Sequence, residues 1–296
     1  MAEMNKITKT QKNDIVNAVL IDSDDDDDID FPQIITHQQN TNTNTSITQT
    51  QTPELEEPSD QQKPKLKKRI VKTLNTSFTT NQDIIEIGID EVGRGPLFGR
   101  VYASAVILPK NNDFKHGDMK DSKKFTSKKK IQAISKYIKE NSIAWSINYE
   151  TENTIDQINI LQATQNAMHN CISDIIHQLE MKNIEFNLNN ILLLVDGNYF
   201  KPFIKFNRIS NKFETILCHT IEQGDNKFTS IAAASILAKV ERDNYIEELC
   251  EENPELKEKY KIDTNKGYGS KHHIEGIETH GITQWHRKTF GICKNY

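Results

Sequence analysis

The feature that most constrains this fold is residues 191–195, the uninterrupted aliphatic run Ile-Leu-Leu-Leu-Val, which stops at Asp196-Gly197. A half-exposed strand alternates apolar and polar residues, whereas an unbroken run is typical of a strand buried on both faces. Such a strand needs helices on both sides of its sheet. The run therefore predicts an α/β fold.

The remaining elements follow from the pattern beyond residue 83. Apolar, β-branched stretches predict four further strands at residues 84–89, 101–108, 144–149 and 215–222. Three-and-four spacing predicts helices after Thr126 and at about residues 154–179 and 228–249. This order of strands and helices predicts a mixed α/β sheet with helices on its faces.

Residues 1–82 have a different composition. They are rich in Asn, Gln, Thr, Ser and Asp, and Phe31 and Phe78 are their only aromatic residues. So little apolar surface cannot offset the entropy lost on ordering. We therefore predict a disordered, low-complexity tail at 1–82 and one folded domain at 83–296.

Two patterns in the tail have alternative interpretations. Val19-Leu20-Ile21 precedes Asp22 and residues 24–28, all Asp. This pattern resembles a SUMO-interacting strand but is more typical of a solvated acidic spacer. Residues 64–69, Pro-Lys-Leu-Lys-Lys-Arg, fit a nuclear import signal, a weak hold on nucleic acid or a charged linker. A tail-bound protein partner stays unidentified.

The location of the protein is predicted from what its sequence lacks. No apolar run approaches the roughly 20 residues that cross a bilayer, and the 4 scattered cysteines show no zinc-ligand spacing. We expect an intracellular monomer without membrane contact, cytoplasmic by default and nuclear if residues 65–69 act as an import signal.

Acidic residues recur where apolar runs meet glycine. Asp90-Glu91 precede Gly93, Asp196 precedes Gly197, and Asp225 follows Gly224. One such acid is explained by a turn, but three endings in one α/β domain predict carboxylates gathered at one sheet edge. Their repulsion would be relieved by a divalent cation, and oxygen ligands suit Mg²⁺ or Mn²⁺. This pattern fits a nuclease, a phosphatase or a nucleotidyl transferase.

The same residues resemble, in order, the motifs of the ribonuclease HII family. The matching stretches are residues 89–97, 121–125, 195–198, 224–225 with 231–240 and 242–243, 267–270 with 273, and 286–290. The chain departs from the family pattern at Val92, Phe98 and Arg100. The resemblance implies a ribonuclease H-like mixed sheet flanked by helices, with further helices at the C-terminus.

The activity implied by this resemblance is metal-dependent endonucleolytic hydrolysis of the RNA strand of RNA–DNA hybrids. It includes incision at ribonucleotides embedded in duplex DNA, leaving 3′-OH and 5′-phosphate ends. By resemblance, the catalytic and metal-binding acids are Asp90, Glu91, Asp196 and Asp225. We expect Mg²⁺ or Mn²⁺ and a two-metal mechanism, with Asp90 shared by both ions. A hybrid-binding protein that has lost catalysis is the alternative, and an enzyme recruited through its tail is a third.

Substrate contacts are also implied. Gly93, Arg94 and Gly95 would contact the ribose 2′-OH, and Tyr268 would pack against the sugar on the DNA side. Lys123 and Lys124 belong to the densest basic run of the folded part, where phosphate contact and a solvated helix face are both open. We expect Lys239–Asp243 to form a helix ion pair. For His273 and His286 we expect structural hydrogen bonding, with proton transfer as the alternative.

Overall fold

The computed structural model describes residues 73–111, 113–207 and 210–296. The acidic pattern at residues 19–28 and the basic cluster at residues 64–69 lie outside these ranges. Among the described residues, no helix is both long and apolar enough to span a membrane.

The domain is built on a five-stranded mixed sheet. Its strands are β1 (Ile85–Val92), β2 (Val101–Ile107), β3 (Ala144–Glu150), β4 (Ile191–Asp196) and β7 (Leu217–Ile221), in the order β3-β2-β1-β4-β7. β2 lies antiparallel to β1 and β3, whereas β1, β4 and β7 are mutually parallel. A separate hairpin comprises β5 (Ile204–Asn207) and β6 (Lys212–Thr215).

Helices cover both faces of the sheet, as the aliphatic run predicts. The six α-helices in the described ranges are α1 (Lys128–Asn141), α2 (Glu152–Met181), α3 (Thr229–Glu252), α4 (Glu255–Tyr260), α5 (Ile262–Asn265) and α6 (Lys271–His280). On one face, α2 contributes Ile172 and Ile176 to a core that includes Leu193 of β4. On the other, α3 crosses β1 so closely that a Cβ on Gly88 would lie 2.2 Å from the Ser230 carbonyl carbon. The predicted mixed α/β fold is therefore confirmed.

Two predicted boundaries are wrong. The single strand at residues 215–222 is divided, because buried Ile216 donates its N–H to the Phe203 carbonyl (3.0 Å) and separates β6 from β7. β1 continues beyond residue 89, since Asp90 and Glu91 still pair with β2. Local apolarity marks where a strand is buried, whereas pairing with a neighbour decides where it ends.

Residues just before β1 contact the domain. The Asn75 N–H donates to the Lys227 carbonyl (2.8 Å), and the Thr229 N–H donates to the Asn75 carbonyl (2.9 Å). Phe78 stacks on His219 of β7 with ring centroids 4.9 Å apart. This stretch, which the composition predicts to belong to the tail, runs alongside the start of α3.

Candidate active site

Three of the four predicted acids lie at the carboxyl ends of neighbouring parallel strands or directly after them. Ile89 of β1 stands opposite Val195 of β4, so Asp90 and Asp196 follow at the same level. β7 runs parallel to β4 and leads into the 3₁₀ turn Gly224–Asn226, which contains Asp225. The sheet register therefore brings Asp90, Asp196 and Asp225 to one edge.

Glu91 enters from the other side of the sheet. Asp90 and Glu91 are consecutive residues within β1, so their side chains leave on opposite faces. On the α3 side, the Ser235 hydroxyl favours the charged form of Asp90 and so opposes the rise in its pKa. Glu91 lies instead beside Gln165 of α2, in a small pocket that Asp196 also lines. The sheet edge thus separates the two acids while leaving both within electrostatic range.

The carboxylates are crowded and shielded from water. Asp90 is 5% exposed and Asp225 7%. Burial raises the pKa of Asp90 well above its usual value, and repulsion from Glu91 and Asp196 adds to it. Burial also raises the pKa of Glu91, with Asp196 acting in the same direction and Arg94 against it. A cation at this edge would relieve the repulsion, and the all-oxygen donor set fits Mg²⁺ or Mn²⁺.

Each acid is paired with a protein donor. Asp196 accepts the Gly224 N–H at 2.6 Å, Asp225 accepts the Asn226 side-chain amide at 3.0 Å, and Glu91 pairs with Arg94 at 3.3 Å. No three acidic, His or Cys side chains in the described ranges converge into a ready-made metal-binding group. The acids instead turn toward separate protein donors.

The Asp121–Phe125 motif lies against the acids. The sequence did not reveal that Asp121 and Ser122 are close to them. The Ser122 hydroxyl is 3.0 Å from that of Ser235, the residue whose hydroxyl favours the charged form of Asp90 and lowers its pKa. The Asn226 amide that donates to Asp225 also approaches Asp121 at 3.5 Å. Only the family resemblance signalled this stretch, because its contacts with residues 226 and 235 depend on tertiary packing.

The loop after β1 brings Gly93, Arg94 and Gly95 beside Tyr268. Gly93 has a φ of +91°, and a Cβ there would lie 2.4 Å from Nε of Arg242. At Gly95 a Cβ would meet only Cε1 of Tyr268, at 3.7 Å. Tyr268 is 49% exposed. Gly95 and Tyr268 are therefore neighbours on an accessible surface. Arg94 is exposed beside them, whereas Gly93 is buried.

Two buried arginines brace this loop, and sequence reasoning missed both. Arg242 donates to the carbonyls of Phe98, Arg100 and Lys266. Arg287 donates to the carbonyls of Gly93, Arg94, Pro96 and Gly99. Both lie in stretches that resemble family motifs, but a sequence pattern does not show which backbone groups a distant side chain contacts.

The predicted structural roles of the two histidines are confirmed. His273 and His286 are buried with their Nε2 atoms 3.1 Å apart. His286 Nδ1 accepts the Thr283 N–H, and His273 Nδ1 lies 2.9 Å from the Tyr268 carbonyl. Burial, followed by the charge of His273, lowers the pKa of His286 to about 3. The pair is thus neutral and supports the Tyr268 loop from inside.

The predicted basic residues have differing environments. Lys124 contacts Asn226 and lies 4.0 Å from Asp121, whereas Lys128 pairs with Glu247. Burial, with Asp121 and Asp196, raises the pKa of Asp225, and the charge of Lys123 opposes that shift. Lys123 and Lys124 therefore lie beside the acidic edge. The predicted Lys239–Asp243 ion pair is confirmed at 3.0 Å.

Two departures from the family pattern are absorbed by packing. Phe98 is fully buried with its ring edge-on to His286, the centroids 5.1 Å apart. The Arg100 guanidinium lies between the rings of Tyr149 and Tyr245, 4.0 and 4.3 Å from their centroids. Both side chains therefore have structural partners within the domain.

Comparison with known proteins identifies relatives for this domain. The sequence pattern of a family described as Ribonuclease HII matches residues 87–293. Proteins called ribonuclease HII from Bacteroides thetaiotaomicron and Parabacteroides distasonis are 42% and 44% identical to this chain over 212 and 208 residues. These matches cover 72% and 70% of this chain and 92% and 90% of the relatives.

Solved structures share the fold. Ribonuclease H2 from Pyrococcus horikoshii is similar with a TM-score of 0.50 at 22% identity, over 72% of this chain and 96% of that one. Ribonuclease HII from Archaeoglobus fulgidus, solved as a complex with PCNA, also gives 0.50, at 23% identity over 71% and 96%. Identity this low establishes likeness of fold alone.

Proposed function

The chain belongs to the ribonuclease HII family, and from this premise we propose that it incises duplex DNA at embedded ribonucleotides by two-metal-ion hydrolysis. The family membership makes it a metal-dependent ribonuclease H acting on RNA–DNA hybrids. The observation that carries the finer proposal is a buried, crowded set of carboxylates beside an exposed glycine loop and Tyr268.

In this proposal the acids hold the metal ions. Asp90 is repelled by the charges of both Glu91 and Asp196. It is the residue that we expect to hold both ions. Asp225 lies on the α3 side, Asp196 ends the neighbouring strand, and Glu91 approaches from the α2 side. We expect the contact of Glu91 with an ion to pass through water. When bound there, divalent ions would activate a water and stabilise the leaving 3′ oxygen, which would leave 3′-OH and 5′-phosphate ends.

The loop after β1 supplies the discrimination between RNA and DNA. The 2′-OH distinguishes the two sugars, and glycine permits close approach of backbone groups to it. We assign this contact to Gly93, Arg94 and Gly95, with Tyr268 packing against the next sugar. Lys123 and Lys124, beside the acidic edge, are assigned to the phosphate backbone.

The test is cleavage of a DNA duplex that contains one ribonucleotide, in Mg²⁺ and separately in Mn²⁺. We expect one incision beside the ribonucleotide, no cutting of the all-DNA duplex, and strong loss when the junction ribose carries 2′-O-methyl. Equal cutting of all three duplexes would contradict ribose recognition. Binding without cleavage in either metal would favour the hybrid-binding alternative.

A further inference from the structure

The Arg287 guanidinium is a buried cation whose hydrogen-bonding partners are carbonyl groups. Its side chain is fully buried, and it donates to the carbonyls of Gly93 (2.6 Å), Arg94 (2.8 Å), Pro96 (2.8 Å) and Gly99 (2.9 Å). Burial, with repulsion from Arg242, lowers its pKa to about 9, so it is charged at neutral pH. A buried charge is costly unless its donors are satisfied, and here one loop satisfies them.

The four contacts determine which way the loop peptides face. In a trans peptide the C=O of one residue and the N–H of the next point in opposite directions. Carbonyls of Gly93 and Arg94 that face Arg287 therefore turn the N–H groups of Arg94 and Gly95 away from it. Arg94 and Gly95 are exposed, and neither N–H has a protein acceptor in the described part of the chain.

Two other N–H groups of this loop are used within the fold. The Leu97 N–H donates to the Gly267 carbonyl and the Gly99 N–H to the Trp285 carbonyl, at 2.9 and 2.8 Å. Arg94 and Gly95 are therefore the exposed residues of this loop whose N–H groups are available to a ligand. They lie between Glu91, which pairs with Arg94, and the Tyr268 ring beside Gly95.

We propose that Arg287 is a positioning residue that orients the Arg94 and Gly95 N–H groups toward the 2′ oxygen of the junction ribose. The inference rests on the proposed function, since it assigns a donor pair and its brace to the same site. Arg287 itself, at the far end of the domain sequence, does not reach the substrate. Its guanidinium geometry matters because a lysine ammonium cannot serve four spread carbonyls.

The first experiment compares Arg287→Lys with the wild-type protein in binding a one-ribonucleotide duplex and the matching all-DNA duplex, with Ca²⁺ replacing Mg²⁺. One hydrogen bond corresponds to about tenfold in affinity. We therefore expect the variant to lose about tenfold of its preference for the ribonucleotide duplex while its all-DNA affinity stays unchanged. Ile172→Ala, a core truncation on the α2 face, controls for lower stability and should keep the preference.

A second measurement needs no substitution. Amide resonances of Arg94 and Gly95 in the wild-type protein should shift on adding the ribonucleotide duplex and not on adding the all-DNA duplex. Unshifted amides, or a full ribose preference in folded Arg287→Lys, would overturn the inference. A wild-type protein that neither prefers nor cuts the ribonucleotide duplex would overturn the proposed function instead.

Discussion

The acidic edge, with Asp90, Asp196 and Asp225, and the loop after β1 form two sides of one candidate site, but they are positioned in different ways. Asp90 and Asp196 owe their places to the register of adjacent parallel strands. The loop is braced by Arg287, whose contact with the Gly93 carbonyl spans 194 residues of chain. The acids are thus placed by the sheet that carries them, whereas the loop depends on a partner from the far end of the domain.

The largest expected effect tests whether the acidic edge carries the chemistry. We predict that Asp90→Asn or Asp196→Asn lowers cleavage about a thousandfold or more, because metal-ion stabilisation of a transition state is worth several kcal/mol. Hybrid binding should be largely retained. Cleavage rates and binding of the hybrid, measured with each variant, check this. Near-normal turnover by either variant in Mg²⁺ would contradict the assignment.

The same substitution at Asp90 should not destabilise the fold. Burial and repulsion raise the pKa of Asp90, so its charged form is disfavoured in the folded state. Because the pKa is higher in the folded than in the unfolded state, ionisation of Asp90 at neutral pH lowers the free energy of unfolding. The neutral Asn side chain removes that cost. If the melting temperature of Asp90→Asn equals or exceeds that of the wild type, its loss of cleavage is due to lost chemistry and not to unfolding.

The difference between the two regions explains what the sequence predicted. Residues 191–195 and Asp196 were predictable, because an unbroken aliphatic run and the acid that ends it are neighbours in the chain. The mixed sheet and the gathering of Asp90 with Asp196 at one edge followed from that pattern and the family resemblance. Arg242 and Arg287 were not predictable as loop braces, because nothing local to an arginine indicates which distant carbonyls it will meet.

Substitutions of Gly93 and Gly95, two glycines of the loop after β1, should have effects of intermediate size. Gly93 has a left-handed φ, and its Cβ position is filled by Arg242, itself pinned by three carbonyls. Gly93→Ala should therefore lower stability by about 1–3 kcal/mol. Gly95 has space for a methyl group, so Gly95→Ala should fold and gain about 0.4–1 kcal/mol.

Gly95→Ala should nevertheless cut the ribonucleotide duplex about a hundredfold more slowly, because its methyl group displaces the sugar by about an ångström. Thermal unfolding and cleavage rates separate the two glycines. Gly93 would then be required by the fold and Gly95 by the ligand. Wild-type cleavage by Gly95→Ala would show that no ligand approaches the loop there.

The smallest expected effect lies on the basic side of the acidic edge. The positive charge of Lys123 acts on Asp225 and lowers its pKa. Lys124 contacts Asn226 and lies near Asp121. Each phosphate contact contributes about one unit to the slope of log affinity against log salt. Lys123→Gln should therefore lower that slope by about 1 and Lys124→Gln by less. Lys136→Gln, which removes an exposed lysine paired with Glu140, is the control with equal charge. If Lys123→Gln and Lys124→Gln keep the wild-type slope, as the control should, neither lysine contacts the phosphate backbone and both belong to a solvated face.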